Sequence, residues 1–114
     1  MVKEKKDMRV EMKHELRGGK GDIETLHLLE KEETLGKCNL CSRMTLQPGV
    51  SIGLHPHGPD AEIYYCLKGE IAVGDNGVER VLRPGDIMFC GGGSTHCAEN
   101  RTSEPAEMIA IVIA

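Results

Sequence analysis

The chain has 114 residues, a formal net charge of −4 and only three aromatic side chains, Tyr64, Tyr65 and Phe89. That length makes a single domain, one able to bury about two-thirds of its unfolded surface without staples. With no basic excess and few rings on which a base could stack, nucleic acid and anionic membranes are not expected as partners.

The first 21 residues, beginning "MVKEKKDMRVEMKHELR", are charged throughout. They read as an N-terminal arm, and composition leaves open a frayed tail, a short helix or an arm lying on a partner subunit. No apolar leader precedes the five cysteines, an odd number, and no run approaches membrane-spanning length. The expectation is a cytoplasmic protein with reduced thiols. "RGGKG", residues 17–21, can form an anion-binding nest of backbone amides, or simply a turn.

From residue 22 to 114 short extended runs alternate with turn residues. "DIETLHLL" comes first, and "CNLCSRMTL" stops at Pro48-Gly49. "SIGLHPH" stops at Gly58-Pro59-Asp60, and "AEIYYCLKG" follows. "EIAVG" and "VERVLR" flank Asp75-Asn76-Gly77, the strongest hairpin signal in the chain. "DIMFC", "THCAEN" and "AEMIAIVIA" complete about nine strands with no convincing long helix. This pattern predicts an all-β sandwich or barrel.

Residues two apart on a strand share a face. Alternation therefore groups Ser51, Gly53, His55 and His57 on one face, Glu62, Tyr64 and Cys66 on another, and His96, Ala98 and Asn100 on a third. Imidazole nitrogen and carboxylate oxygen both suit divalent first-row metals, and a His-x-His pair on a strand converges on one point. His96 follows a glycine run that lets the backbone come close. Cys38 and Cys41 spell C-x-x-C, but three residues apart on a regular strand they face opposite ways and cannot chelate together without a bulge.

Gly49, His55, His57, Glu62 and Gly69 match the pattern G-x5-H-x-H-x4-E-x6-G, the first motif of the cupin superfamily, at every fixed position. Gly85, Gly93, His96 and Asn100 match the second, G-x5-P-x-G-x2-H-x3-N, with Gly91 where the family usually has proline. The chain resembles a small single-domain cupin, and the jelly-roll barrel of that family agrees with the strand count. The resemblance implies that His55, His57, Glu62 and His96 hold one divalent transition metal (manganese, iron, nickel, cobalt or zinc) inside the barrel. It makes strand corners of the motif glycines.

Four ligands close a tetrahedral zinc site, whereas a six-coordinate metal keeps two positions for water or a chelating substrate. The resemblance therefore implies a metal-dependent enzyme, dioxygenase-like or decarboxylase-like, acting on a small carboxylate, diketone or sugar derivative. The alternative is a metallo-cupin that binds or senses a small ligand without turnover. Tyr64 is the candidate proton donor, and Ser51 and Cys66 are further candidate neighbours of the metal. Ile109, Ile111 and Ile113 are expected to fill the core. The last run is nevertheless apolar on both faces, and with Tyr65 and Leu67 it predicts a homodimer.

Overall fold

Alternating β-branched and polar residues between glycine or proline corners favour extended backbone, and the chain folds accordingly. A computed structural model describes all of residues 1–114. It contains ten strands: β1 (Arg9–His14), β2 (Asp22–His27), β3 (Cys38–Leu46), β4 (Ser51–Pro56), β5 (Ala61–Lys68), β6 (Ile71–Asp75), β7 (Val78–Leu82), β8 (Ile87–Cys90), β9 (Thr95–Glu99) and β10 (Ala106–Ile113). Nine coincide with the runs expected from sequence. The tenth, β1, lies in the charged N-terminal segment and pairs antiparallel with β2 from Arg9 opposite His27 to His14 opposite Asp22.

The strands form a six-stranded sheet ordered β1-β2-β3-β10-β5-β8 and a four-stranded sheet ordered β4-β9-β6-β7. These are the two layers of a jelly-roll barrel. Met44, Leu46 and Met108 from the larger sheet pack against Ile52, Ile71 and Val73 from the smaller one. The β6–β7 hairpin turns on Asn76-Gly77, both with positive φ (49° and 88°), which is the two-residue turn that matches strand twist.

The expected faces are corrected at three strands. On β10 the core positions are Ala106, Met108, Ala110 and Val112, so Ile109, Ile111 and Ile113 lie on the outer face instead of in the core. On β4 the pairing with β9 shifts between Ile52 and His55. The shift breaks the two-residue alternation, so Ile52, His55 and His57 are buried while Ser51 and Gly53 face outward. On β3, Cys38 sits opposite Ile113 and Cys41 opposite Ile111, with a register shift between Val112 and Ile113. Asn39 is thus an extra residue, and both thiols fall on the outer face, where each is unpaired.

Candidate metal centre

His55 lies on β4 directly opposite His96 of β9. Glu62 comes from β5 in the other sheet, so the cluster bridges the two layers. His57 stands just beyond the end of β4 and is fixed by backbone bonds: its N–H donates to the Ser94 carbonyl, and the Gly93 N–H donates to its own carbonyl. The glycine run before His96 thus brings that loop onto His57, as its sequence suggested.

The four side chains are buried, and their ligating atoms all lie within 4.8 Å of one another. Glu62 Oε1 is 3.0 Å from His57 Nε2 and 3.1 Å from His96 Nε2, and His55 Nε2 is 2.9 Å from His96 Nε2. Burial pushes the Glu62 carboxyl up, but hydrogen bonding and charge from His55, His96 and His57 outweigh it and hold it at about 2. Of these, His57 and His96 carry the pairing by distance, because His55 stands 3.9 Å away.

The hydrogen bonds outside the cluster decide what the inner nitrogens present. His55 Nδ1 donates to the Gly53 carbonyl at 2.7 Å, and His57 Nδ1 donates to the Asp60 carboxylate at 3.0 Å. With the proton on Nδ1 and the ring neutral, the form that metal coordination requires, each Nε2 turns a lone pair inward. Lone pairs crowded around an ionised carboxylate repel unless a cation lies among them, so three imidazoles and one carboxylate fit a divalent first-row metal. His96 is held differently. Its ring stacks on Tyr64 at 4.8 Å with 12° between planes, and its Nδ1 is buried without a partner.

A cavity of about 110 Å³ opens onto His55, His57 and Glu62. Tyr64 is part of its wall, with the hydroxyl 3.5 Å from His96 Nε2, and burial followed by the Glu62 charge raises the phenol well above its usual pKa. Its proton therefore stays in place at neutral pH. Ser51 is not in this cavity; its hydroxyl accepts the Lys20 N–H. Cys66 is not there either, because its thiol is directed to the Lys68 and Gly69 carbonyls.

Sequence reasoning passed over Asp60, which it read as turn punctuation, and Lys13, Leu16 and Arg17, which it placed in an arm. These last three line the cavity together with Leu40, Met44, Ile52 and Val112. The amides of "RGGKG" form no nest: those of Gly18, Gly19 and Lys20 are taken up by Glu15, Leu16 and Ser51. A larger hollow of about 420 Å³ lies on the outer face of the four-stranded sheet and has no histidine in its wall. Size alone would rank it first, but the ligating chemistry is in the smaller cavity.

Comparison with known proteins agrees with this geometry. The chain is 44% identical over 98 residues to an oxalate-binding protein of Thermotoga maritima, covering 86% of this chain and 81% of that one. Its structure is similar to that of a predicted oxalate decarboxylase from Thermotoga maritima, with a TM-score of 0.93, 41% identity and coverage of 99% and 98%. A sugar phosphate isomerase of the cupin superfamily from Silicibacter pomeroyi shares the fold, at a TM-score of 0.69 and 24% identity over 81% of this chain and 59% of that one. The Cupin_2 family, described as the cupin domain, matches residues 42–112, and the chain belongs to it.

Proposed function

We propose that the protein binds one divalent transition metal per chain through His55, His57, Glu62 and His96, and captures a small carboxylate of the oxalate class there. The observation that carries this reading is the convergence of three imidazole nitrogens and one ionised carboxylate within 4.8 Å, with outer hydrogen bonds that turn two of the lone pairs inward. The similarity to an oxalate-binding relative supports the ligand class. Cavity size supports it too. At about 110 Å³ the space is well below the roughly 300–1,000 Å³ of sites for larger metabolites, which favours a ligand of a few heavy atoms over a sugar derivative.

A bound metal supplies Lewis acidity and oxygen coordination. The protein's own contribution is to orient the imidazoles, to keep Glu62 ionised and to wall the site with Met44, Ile52 and Val112. The cavity holds no carboxylate besides Glu62, which favours capture over reactions needing a separate carboxylate base. A second reading, turnover of the captured acid, is favoured by Tyr64, whose protonated hydroxyl lies in the cavity wall and is positioned as a proton donor. The reading includes a homodimer and a cytoplasmic setting, the latter in keeping with five unpaired cysteines.

Elemental analysis of protein loaded with manganese, iron, nickel, cobalt or zinc, followed by calorimetric titration with oxalate, tests the proposal. One metal per chain and one oxalate per metal are expected. Protein that stays metal-free after loading overturns it.

A further inference from the structure

The N-terminal segment reaches the site. Between β1 and β2 the chain makes a tight turn, Leu16–Gly18, in which Glu15 (φ 46°) and Arg17 (φ 56°) both adopt the left-handed conformation that residues with a Cβ rarely take. Such a backbone persists only where its surroundings impose it, and here they do. A Cβ on Gly53 would lie 1.9 Å from the Arg17 carbonyl oxygen, and one on Gly19 would lie 2.1 Å from the Ser51 carbonyl oxygen. Two glycines thus let the turn seat backbone against backbone on β4. Ser51 N–H donates to the Lys20 carbonyl, Lys20 N–H to Ser51 Oγ, and Glu15 N–H to the Gly21 carbonyl.

This docking has a target. Gly53, which receives the turn, is also the residue whose carbonyl accepts the His55 Nδ1 proton. The turn and the cluster therefore share one support; the turn presents Arg17 to the cavity, and the end of β1 that leads into it presents Lys13. Lys13 is partly shared with Glu11 at 3.8 Å. Arg9, Arg83 and Arg101 each pair with a glutamate, whereas Arg17, like Arg43 and Arg80, pairs with no carboxylate of the chain, and of these three it is the one that lines the cavity. An unpaired guanidinium, a second cation beside it and a left-handed backbone held by two glycine contacts are independent observations at the same cavity mouth.

We infer that the turn is the anion-recognition element of the site: Arg17, assisted by Lys13, holds the outward oxygens of a small dicarboxylate whose other oxygens face the His–Glu cluster. The inference rests on the proposed metal centre and goes beyond it, because it assigns the choice of ligand to residues outside the cupin motifs. A divalent ion already outweighs the Glu62 charge, and two cations at the mouth add to that excess. A dianion is therefore favoured over a monoanion of equal chelating power. The planar fork of arginine also matches a carboxylate through two parallel hydrogen bonds.

Calorimetric titration of metal-loaded protein with oxalate and with glycolate tests the assignment, since both ligands can chelate through two oxygens but only oxalate is a dianion near neutral pH. Metal content is equalised by elemental analysis across wild type, Arg17→Gln, Arg17→Lys, Lys13→Gln and Lys20→Gln. Arg17→Gln is expected to weaken oxalate about tenfold to a hundredfold, the range of a lost charge-assisted contact, and glycolate much less. Arg17→Lys should recover part of the loss, and Lys13→Gln, which leaves the left-handed turn untouched, should show a smaller loss of the same kind. Lys20→Gln, an exposed cation outside the cavity, should change nothing. Unchanged oxalate affinity in both Arg17→Gln and Lys13→Gln, or equal losses for the two ligands, overturns the inference while leaving the metal centre standing. Wild type that takes up no metal overturns the centre and the inference together.

Discussion

His57 depends on a side chain that gives the cluster no ligand atom. Asp60 accepts its Nδ1 proton at 3.0 Å, which fixes the ring and makes Nε2 more basic. Asp60→Ala should therefore lower metal affinity roughly 10–100-fold with all four ligands intact, a range typical of such outer partners, as measured by competition with a coloured chelator. Unchanged affinity would mean that the turn backbone alone positions His57. Tyr64 calls for a different comparison, because its ring supports His96 while its hydroxyl reaches towards Nε2. Tyr64→Phe keeps the stacked ring and removes the proton, so metal content should stay near wild type. If the captured acid is turned over, the rate at equal metal occupancy should fall about 10²–10⁴-fold, the usual contribution of a positioned proton donor. Full activity would reduce Tyr64 to packing. At this scale the four clustered side chains were legible because their spacing is a fixed pattern of residue types. Asp60 was not, because a turn aspartate looks the same whether or not it touches a histidine.

Among the elements, β4 and the turn docked on it carry the most information that the linear pattern hid. Alternation put Ser51 and Gly53 beside His55, and the shift against β9 between Ile52 and His55 moved them outside. A bulge of this kind has no strong residue signature, so strict two-residue periodicity predicts through it and misassigns every position beyond. The same limitation hid the shared face of Cys38 and Cys41. On β10 the alternation holds, but both faces are apolar, so periodicity alone does not say which one is the core. Nine strands were readable because turn residues punctuate them. Strand β1 was masked by its charges, which suit an edge strand with one side in water. Gly53→Ala tests the consequence for the site. Its methyl would meet the Arg17 carbonyl at 1.9 Å, backbone that cannot rotate away, so the turn must lift from β4. A stability loss of about 1–3 kcal/mol by urea titration is expected, the usual range for forced overpacking. Oxalate binding should weaken more than metal binding, since His55 keeps its ring while Arg17 moves. Equal weakening of both would place the damage in the cluster instead of the turn.

The molecule as a whole should not need its metal to fold. Its apolar core lies between the sheets, largely beyond the four ligands, so chelation should leave the far-ultraviolet circular dichroism of a β protein. Metal at a hundredfold its dissociation constant adds about 2.7 kcal/mol by mass action, so removal should lower Tm by roughly 10 °C in scanning calorimetry. An unfolded apo form would instead mark the ion as structural. The outer face of the six-stranded sheet bears on assembly. One row of facing residues crosses every strand: Val10, Leu26, Arg43, Ile109, Tyr65 and Ile87. Beside it run Cys41, Ile111, Ile63 and Phe89. Ile87 is 66% exposed, Phe89 63%, Leu67 41% and Tyr65 40%, which makes a contiguous apolar surface of the kind that marks interaction sites. Within it the Arg43 Nε is buried without a hydrogen-bond partner, an arrangement that a facing acceptor would relieve. A second copy related by a two-fold axis would cover both features at once. Light scattering at micromolar concentration should therefore give twice the 12.5 kDa chain mass. Ile63→Glu, set among apolar neighbours, should return the single-chain mass while changing the fold's own stability by only about 0.5 kcal/mol, as surface substitutions do. A wild-type monomer, or an Ile63→Glu dimer of undiminished affinity, would show that this face is not where two copies meet.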